Sequence, residues 1–268
     1  MDANKQAVHD FWNAASCGET LYLSGSESQA YADQSNKRYE LEPYILSFAD
    51  FASAHDRDVL EIGVGLGADH QRFAEAGARL VGVDLTERAV AHTGQRLAAM
   101  GLRSKLQTAD AENLPFDAAS FDIVYSWGVL HHSPNTSKAI DEVWRVLRPG
   151  GSTRIMVYHA SSMVGYMLWI RYALLAGRPG RSLADIFAQH LESPGTKAYT
   201  VDQARKLFAR FSSVEIDTVL THGDLLTSDA GQRHRGPLLT IAKAVWPRWL
   251  IRTLLPKRGL FLLARATK

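Results

Sequence analysis

The chain has 268 residues, 46% of them hydrophobic, with 30 Lys and Arg against 28 Asp and Glu. A formal charge of +2 is too small for the basic stripe of a nucleic-acid-binding surface, and the apolar share suffices for one large core. The single Cys17 excludes an internal disulfide and fits a reducing compartment. The opening Met1-Asp2-Ala3-Asn4-Lys5 carries no secretory pattern, so the expected location is the cytoplasm.

Residues 1–54 precede the first strand pattern and include the aromatic and charged groups Phe11-Trp12-Asn13 and Arg38-Tyr39-Glu40. Residues 59–69 then run from an apolar strand into a loop with glycine at every second position, Gly63-x-Gly65-x-Gly67. A second strand follows and ends in Asp84. A strand, a glycine turn, a helix and a strand ending in an acid is the layout that holds an adenosine ribose on a doubly wound sheet. Glu61 and Asp69 flank the loop with no Lys or Arg between them. That pair would repel a pyrophosphate and suits a ligand carrying an ammonium and a sulfonium. The glycine spacing also departs from the dinucleotide fingerprint, which disfavours a nicotinamide oxidoreductase.

The third strand leads into Thr108-Ala109-Asp110-Ala111-Glu112, and Ser120-Phe121-Asp122-Ile123-Val124-Tyr125 makes the fourth. Then come Trp127-Gly128-Val129-Leu130-His131-His132 and a helix over 136–147 with Ile140, Val143, Trp144 and Leu147 on one face. Leu147-Arg148-Pro149-Gly150-Gly151 ends that helix ahead of the fifth strand. Thr200-x-x-Gln203 is a capping box, opening a helix with Ala204, Leu207, Phe208 and Phe211 on one stripe. Residues 214–220 and 260–264 read as the last two strands.

This series, dense over residues 58–158, resembles the class I S-adenosylmethionine-dependent methyltransferases, and within them the small-molecule type 11 group that includes ubiquinone and menaquinone pathway enzymes. The resemblance implies a doubly wound, Rossmann-like α/β sheet of seven strands in the order 3-2-1-4-5-7-6, with the seventh antiparallel. It implies that Glu61, Gly63 and Gly65, with Gly67 closing the loop, flank the methionyl part of S-adenosylmethionine. Asp84 would hold the ribose, Asp110 and the Ala111 backbone the adenine, and Leu85 and Leu130 would pack on either side. His131 and His132 would lie beside the methyl group, where a histidine's ordinary acidity suits it to take a proton.

The organisation expected is a core over 55–158 and 200–268 with three lid segments: 1–54, 159–199 and the insertion 221–258. Long insertions in compact domains are usually functional, and these reach the carboxyl edge where doubly wound sheets bind ligands. Candidate acceptor-pocket residues are Trp12, Tyr39, Tyr158, His190, Tyr199, His222, Asp224 and His234. No pair has the spacing of a zinc motif, so no metal is expected. The stretch 163–176, interrupted by Arg171, is too short to span a bilayer. The stretch 245–255 mixes Trp246 and Trp249 with Arg248 and Arg252. It is expected to pack as a lid helix, with peripheral membrane contact as the alternative.

The expected function is methyl transfer to a small-molecule acceptor. The variants are S-methylation of a thiol or hydrosulfide and methylation of a quinone or lipid precursor. A catalytically silent cofactor-binding protein is the competing class.

Overall fold

The computed structural model describes residues 2–25, 27–228, 240, 243–244 and 246–268. His234 and Val245 lie outside the described residues. Seven strands form one sheet: β1 (Asp58–Ile62), β2 (Arg79–Asp84), β3 (Lys105–Thr108), β4 (Phe121–Trp127), β5 (Leu147–Tyr158), β6 (Ser213–Val219) and β7 (Phe261–Thr267). Their order is β3-β2-β1-β4-β5-β7-β6. Strand β7 runs antiparallel to β5 and β6, and the other pairings are parallel. The fold expected from the glycine loop and the strand series is the one found.

Burial explains why those segments are strands. Central β1 is buried at four of its five positions, while edge strand β6 alternates between exposed and half-buried ones, as a covered and a half-solvated strand should. The helices α5 (Ala68–Glu75), α6 (Glu87–Ala99), α7 (Thr136–Val146) and α10 (Val201–Leu207) pack around the sheet. One apolar layer joins Ile140 and Val143 of α7 to Ala204 and Phe208 beneath the sheet's Val124, Ile155 and Leu262. The opposite layer gathers Phe48, Phe73, Tyr125, Met156 and Leu263.

The lid segments are helical. Before β1 lie α1 (Ala3–Ala14), α2 (Glu19–Tyr22), α3 (Ser28–Leu41) and α4 (Tyr44–Ala49). After β5 come α8 (Met163–Trp169), a π-helical turn (Ile170–Leu174) and α9 (Leu183–His190). Between β6 and β7 lies α11 (Arg248–Leu254). Contrary to the packed lid helix expected, α11 buries only Ile251, and its Trp249 is 75% exposed. Among the described residues no helix is long and apolar enough to cross a membrane.

Candidate functional site

The carboxyl ends of β1, β2, β4 and β5 meet α1, α2, α3 and α8 around one cavity of about 800 Å³. Every residue expected to hold the cofactor lines it: Glu61, Gly63, Gly65, Gly67, Asp84, Leu85, Asp110, Ala111 and Leu130. Gly63 is left-handed at φ 85°, and a Cβ there would stand 2.0 Å from Val129 Cγ2, so only glycine fits. Gly65, also left-handed at φ 52°, has nothing within 4 Å of where a Cβ would sit. Its backbone faces open space.

Asp84 anchors one oxygen and leaves the other nearly free. Oδ1 accepts from Thr86 N at 3.0 Å and Thr86 Oγ1 at 2.9 Å, while Oδ2 has only a 3.3 Å bond from Gly65 N. Burial pushes its pKa up, against the pull of those donors. Asp110 accepts from Glu112 N at 2.9 Å, and Lys5 of α1 reaches across to Asp110 at 2.6 Å and Glu112 at 3.0 Å. The lightly held Asp84 oxygen and the open side of Gly65 thus face the cavity, while both oxygens of Asp110 are engaged by Lys5 and the Glu112 backbone.

The two carboxylates flanking the loop are not free, as their sequence context suggested. Arg38 of α3 grips Asp69 with two bonds, Nε to Oδ1 at 3.1 Å and Nη2 to Oδ2 at 2.7 Å. Tyr39 and Tyr125 each donate to Asp69 at 2.9 Å. Burial works against the Asp69 carboxylate, but the Arg38 charge and these donors hold its pKa below the ordinary value.

Glu61 lies 2.8 Å from His70 Nδ1. Burial first, then the charges of Asp69 and Asp84, push its pKa well above the usual carboxylate range, while burial pushes His70 down to about 3. Ser104 Oγ donates to Leu80 O, so His70 Nε2 donates to Ser104 and Nδ1 is left to accept from a protonated Glu61.

The cavity also has apolar walls, including Trp12, Leu21, Tyr22, Met167, Leu168 and Phe261. Cys17 is accessible toward this interior, and burial pushes its thiol up to about 12, so it stands protonated. The polar groups gather around His132. Its Nδ1 lies 2.8 Å from Ser193 Oγ and 3.1 Å from Thr196 Oγ1. Thr196 donates its one hydroxyl proton to Ser193 O at 2.7 Å, so its oxygen can only accept from the ring, which puts the ring proton on Nδ1 and leaves Nε2 with its lone pair. Nε2 faces Glu192 at 3.3 Å, an ion-pair distance without hydrogen-bond alignment. Tyr158 donates to the same Glu192 oxygen at 2.7 Å.

His131, the other proton-taking candidate, is placed differently. It is fully buried, does not line the cavity and has no hydrogen-bond partner on either ring nitrogen. Its ring lies 4.0 Å from that of Tyr158. Burial, followed by the His132 and Lys197 charges, holds its pKa well below the ordinary value. It is neutral packing behind the wall. The ligand atoms of His131, His132 and Glu192 lie within 4.8 Å of one another, although the chain has no zinc-motif spacing.

Of the other acceptor-pocket candidates, Trp12, Tyr158 and His222 line the cavity. Tyr39 is instead a donor to Asp69, and His190 stacks on Tyr172 at 4.0 Å. Tyr199 packs against the core, its N–H bonded to Tyr158 O. Asp224 is buried and accepts from the backbones of Thr221, Val164 and Leu260, tying the lid to β7. Each was drawn away because a buried polar group must find a partner.

Arg38, Glu42 and Glu192 line the cavity; the sequence marked Arg38 only as a charged group of the first segment, and Glu42 and Glu192 were not among the expected pocket residues. The four-residue spacing of Arg38 and Glu42 within one helix was the signal available. Burial pushes Glu42 up to about 7, with the Arg38 charge opposing. A raised carboxyl stabilises the fold fully below its unfolded pKa, and that contribution is lost as pH rises through about 7. Glu42→Gln therefore raises the melting temperature at about pH 8, by up to about 3 kcal/mol of stability, and the gain vanishes near pH 5. Equal gains at both pH values would show that Glu42 keeps an ordinary acidity.

Residues 60–155 match the family model of the methyltransferase domain. The chain is similar to the sterol 4-C-methyltransferase strm-1 of Caenorhabditis elegans, 36% identical over 101 residues, which are 37% of this chain and 30% of that protein. It is 34% identical over 116 residues to phosphoethanolamine N-methyltransferase 2 of the same organism, covering 42% of this chain and 26% of the relative. The chain thus spans about a third or less of the length of these two relatives. Its fold is similar to that of Haemonchus contortus phosphoethanolamine N-methyltransferase 2 in complex with S-adenosyl-L-methionine, with TM-score 0.59 and 18% identity. That likeness covers 84% of this chain and 52% of the other. The domain match, the strand order and the lining of the cavity agree on a methyltransferase domain over residues 60–155, carried on the Rossmann-like fold of class I S-adenosylmethionine-dependent methyltransferases.

Proposed function

We propose that the chain transfers the methyl group of S-adenosylmethionine to a small acceptor with a substantial apolar body, inside this cavity. The observation that carries this reading is the continuity of that cavity. Asp84, Asp110, His132 and Glu192 line it together with aromatic and aliphatic walls. Such walls favour a quinone-like or lipid-precursor acceptor over a small thiol or hydrosulfide, because a small polar molecule leaves most of the apolar surface unfilled.

Bound in the cradle, the cofactor's sulfonium supplies an already activated methyl group for in-line displacement by an acceptor lone pair. The protein's task is then alignment and exclusion of water. Trp12 and Tyr158 flank the acceptor space, and α1 and α8 close over it. An acceptor that arrives protonated gives its proton to the His132–Glu192 pair. His132 Nε2 is the accepting nitrogen, the Glu192 carboxylate beside it balances the charge, and Ser193 and Thr196 fix the ring.

Calorimetry with S-adenosylmethionine, its demethylated product and NAD tests the cofactor half. Both sulfur nucleosides bind and NAD does not. Asp84→Ala weakens their binding by about 1.5–3 kcal/mol, the range for hydrogen bonds to charged groups, and an unchanged affinity would place the ribose elsewhere. Release of demethylated product with a panel of apolar phenols and acids tests the acceptor half. Tight cofactor binding with no turnover on any acceptor would favour the silent binding protein.

A further inference from the structure

The exposed apolar surface is concentrated in one place. Leu46 apart, every large hydrophobic residue exposed among the described ones lies on two segments. The first carries Tyr166, Ile170, Leu174 and Leu175, the last 68% exposed. The second carries Trp249, Leu250, Leu254 and Leu255, with Trp249 at 75%. These segments are neighbours: Met163 N donates to Arg258 O at 2.8 Å, and Arg258 Nη1 stands 3.5 Å from Tyr166 Oη. A patch of this kind marks an interaction site, since soluble surfaces rarely gather so many large apolar groups.

Its charge selects the partner. Residues 163–181 and 246–258 contain no Asp or Glu. Arg171, Arg178, Arg252, Lys257 and Arg258 stand exposed among the apolar groups. Tryptophan and arginine around an apolar helix face match the interface of an anionic bilayer. Ile170, Leu175 and Trp246 also line the cavity, so the cavity reaches the surface within this patch.

We propose that the face formed by α8, the following π-helical turn and α11 docks on an anionic lipid surface, with the cavity mouth turned toward the bilayer. An amphipathic acceptor then enters sideways from the lipid. This second step rests on the proposed methyl transfer, whereas the docking does not.

Co-sedimentation of the full chain with vesicles, without cofactor, tests the docking. The protein binds phosphatidylcholine vesicles that contain phosphatidylglycerol, binds pure phosphatidylcholine weakly, and is released by salt. Arg252→Ala lowers the partition about fivefold, as expected for one cation at a charged surface. Trp249→Ala with Leu254→Ser lowers it at least about tenfold. None of these three residues lines the cavity, so melting temperature and affinity for S-adenosylmethionine stay unchanged. Absence of binding to both vesicle types, or binding indifferent to these variants, overturns the proposal. So does an ultracentrifuge dimer that Trp249→Ala dissolves, because the face would then belong to a second copy. Loss of methyl transfer with vesicle binding intact would count against the reaction alone.

Discussion

His132→Asn lowers turnover about 10²–10⁴-fold, the usual contribution of a positioned acid or base, with little change in affinity for S-adenosylmethionine. The ring lines the cavity with its Nδ1 held by Ser193, and asparagine keeps a polar group there without the imidazole's capacity to carry a proton. Glu192→Gln shares most of that loss. The double variant is little worse than either single one, because residues acting as a unit are not additive. His131→Asn is the contrasting control: its ring is buried packing, so the variant loses stability before it loses chemistry. Steady-state rates with a working acceptor check all four. A loss below about tenfold for His132→Asn would leave alignment and desolvation as the whole mechanism, with an acceptor that arrives ionised.

Arg38→Met destabilises the fold by about 3–5 kcal/mol, because it strands the Asp69 carboxylate in the interior without its cation. The wild-type contribution has a definite pH dependence. Asp69 has a lowered pKa in the fold, so its stabilisation is complete above the unfolded value and fades as acid protonates it. Urea denaturation near neutral pH measures the loss. The double variant Arg38→Met with Asp69→Asn recovers most of it, since no charge then remains unpaired. A loss under about 1 kcal/mol would mean that the two tyrosine hydroxyls suffice to hold Asp69.

That Glu61, the glycine loop, Asp84 and Asp110 share one cavity was legible in the sequence because its determinants are local. A glycine that must be left-handed, a strand ending in an acid and an apolar period of two all act over a few residues. The acceptor half was not. Tyr39, Tyr199 and Asp224 were plausible pocket groups on chemistry alone. Their roles were set by partners far along the chain: Asp69 for Tyr39, the core for Tyr199, and the Leu260 backbone for Asp224. The same distance hid the role of Arg38, whose charge changes the meaning of the acidic glycine loop. In α11 the mixture of tryptophan, leucine and arginine suggested a packed lid helix, but Trp249, Leu250 and Leu254 face outward.

The hold of α1 on the core has a kinetic consequence. That helix buries one residue, Val8, and its Lys5 latches onto Asp110 and Glu112, where the proposed function puts the adenine. Lifting it breaks the two Lys5 pairs, the His9–Glu87 pair and the Asn13 bond to Arg88 N, while the sheet beneath stays intact. The spent nucleoside therefore leaves through a door that salt loosens, and its dissociation rate climbs with ionic strength as the latch is screened.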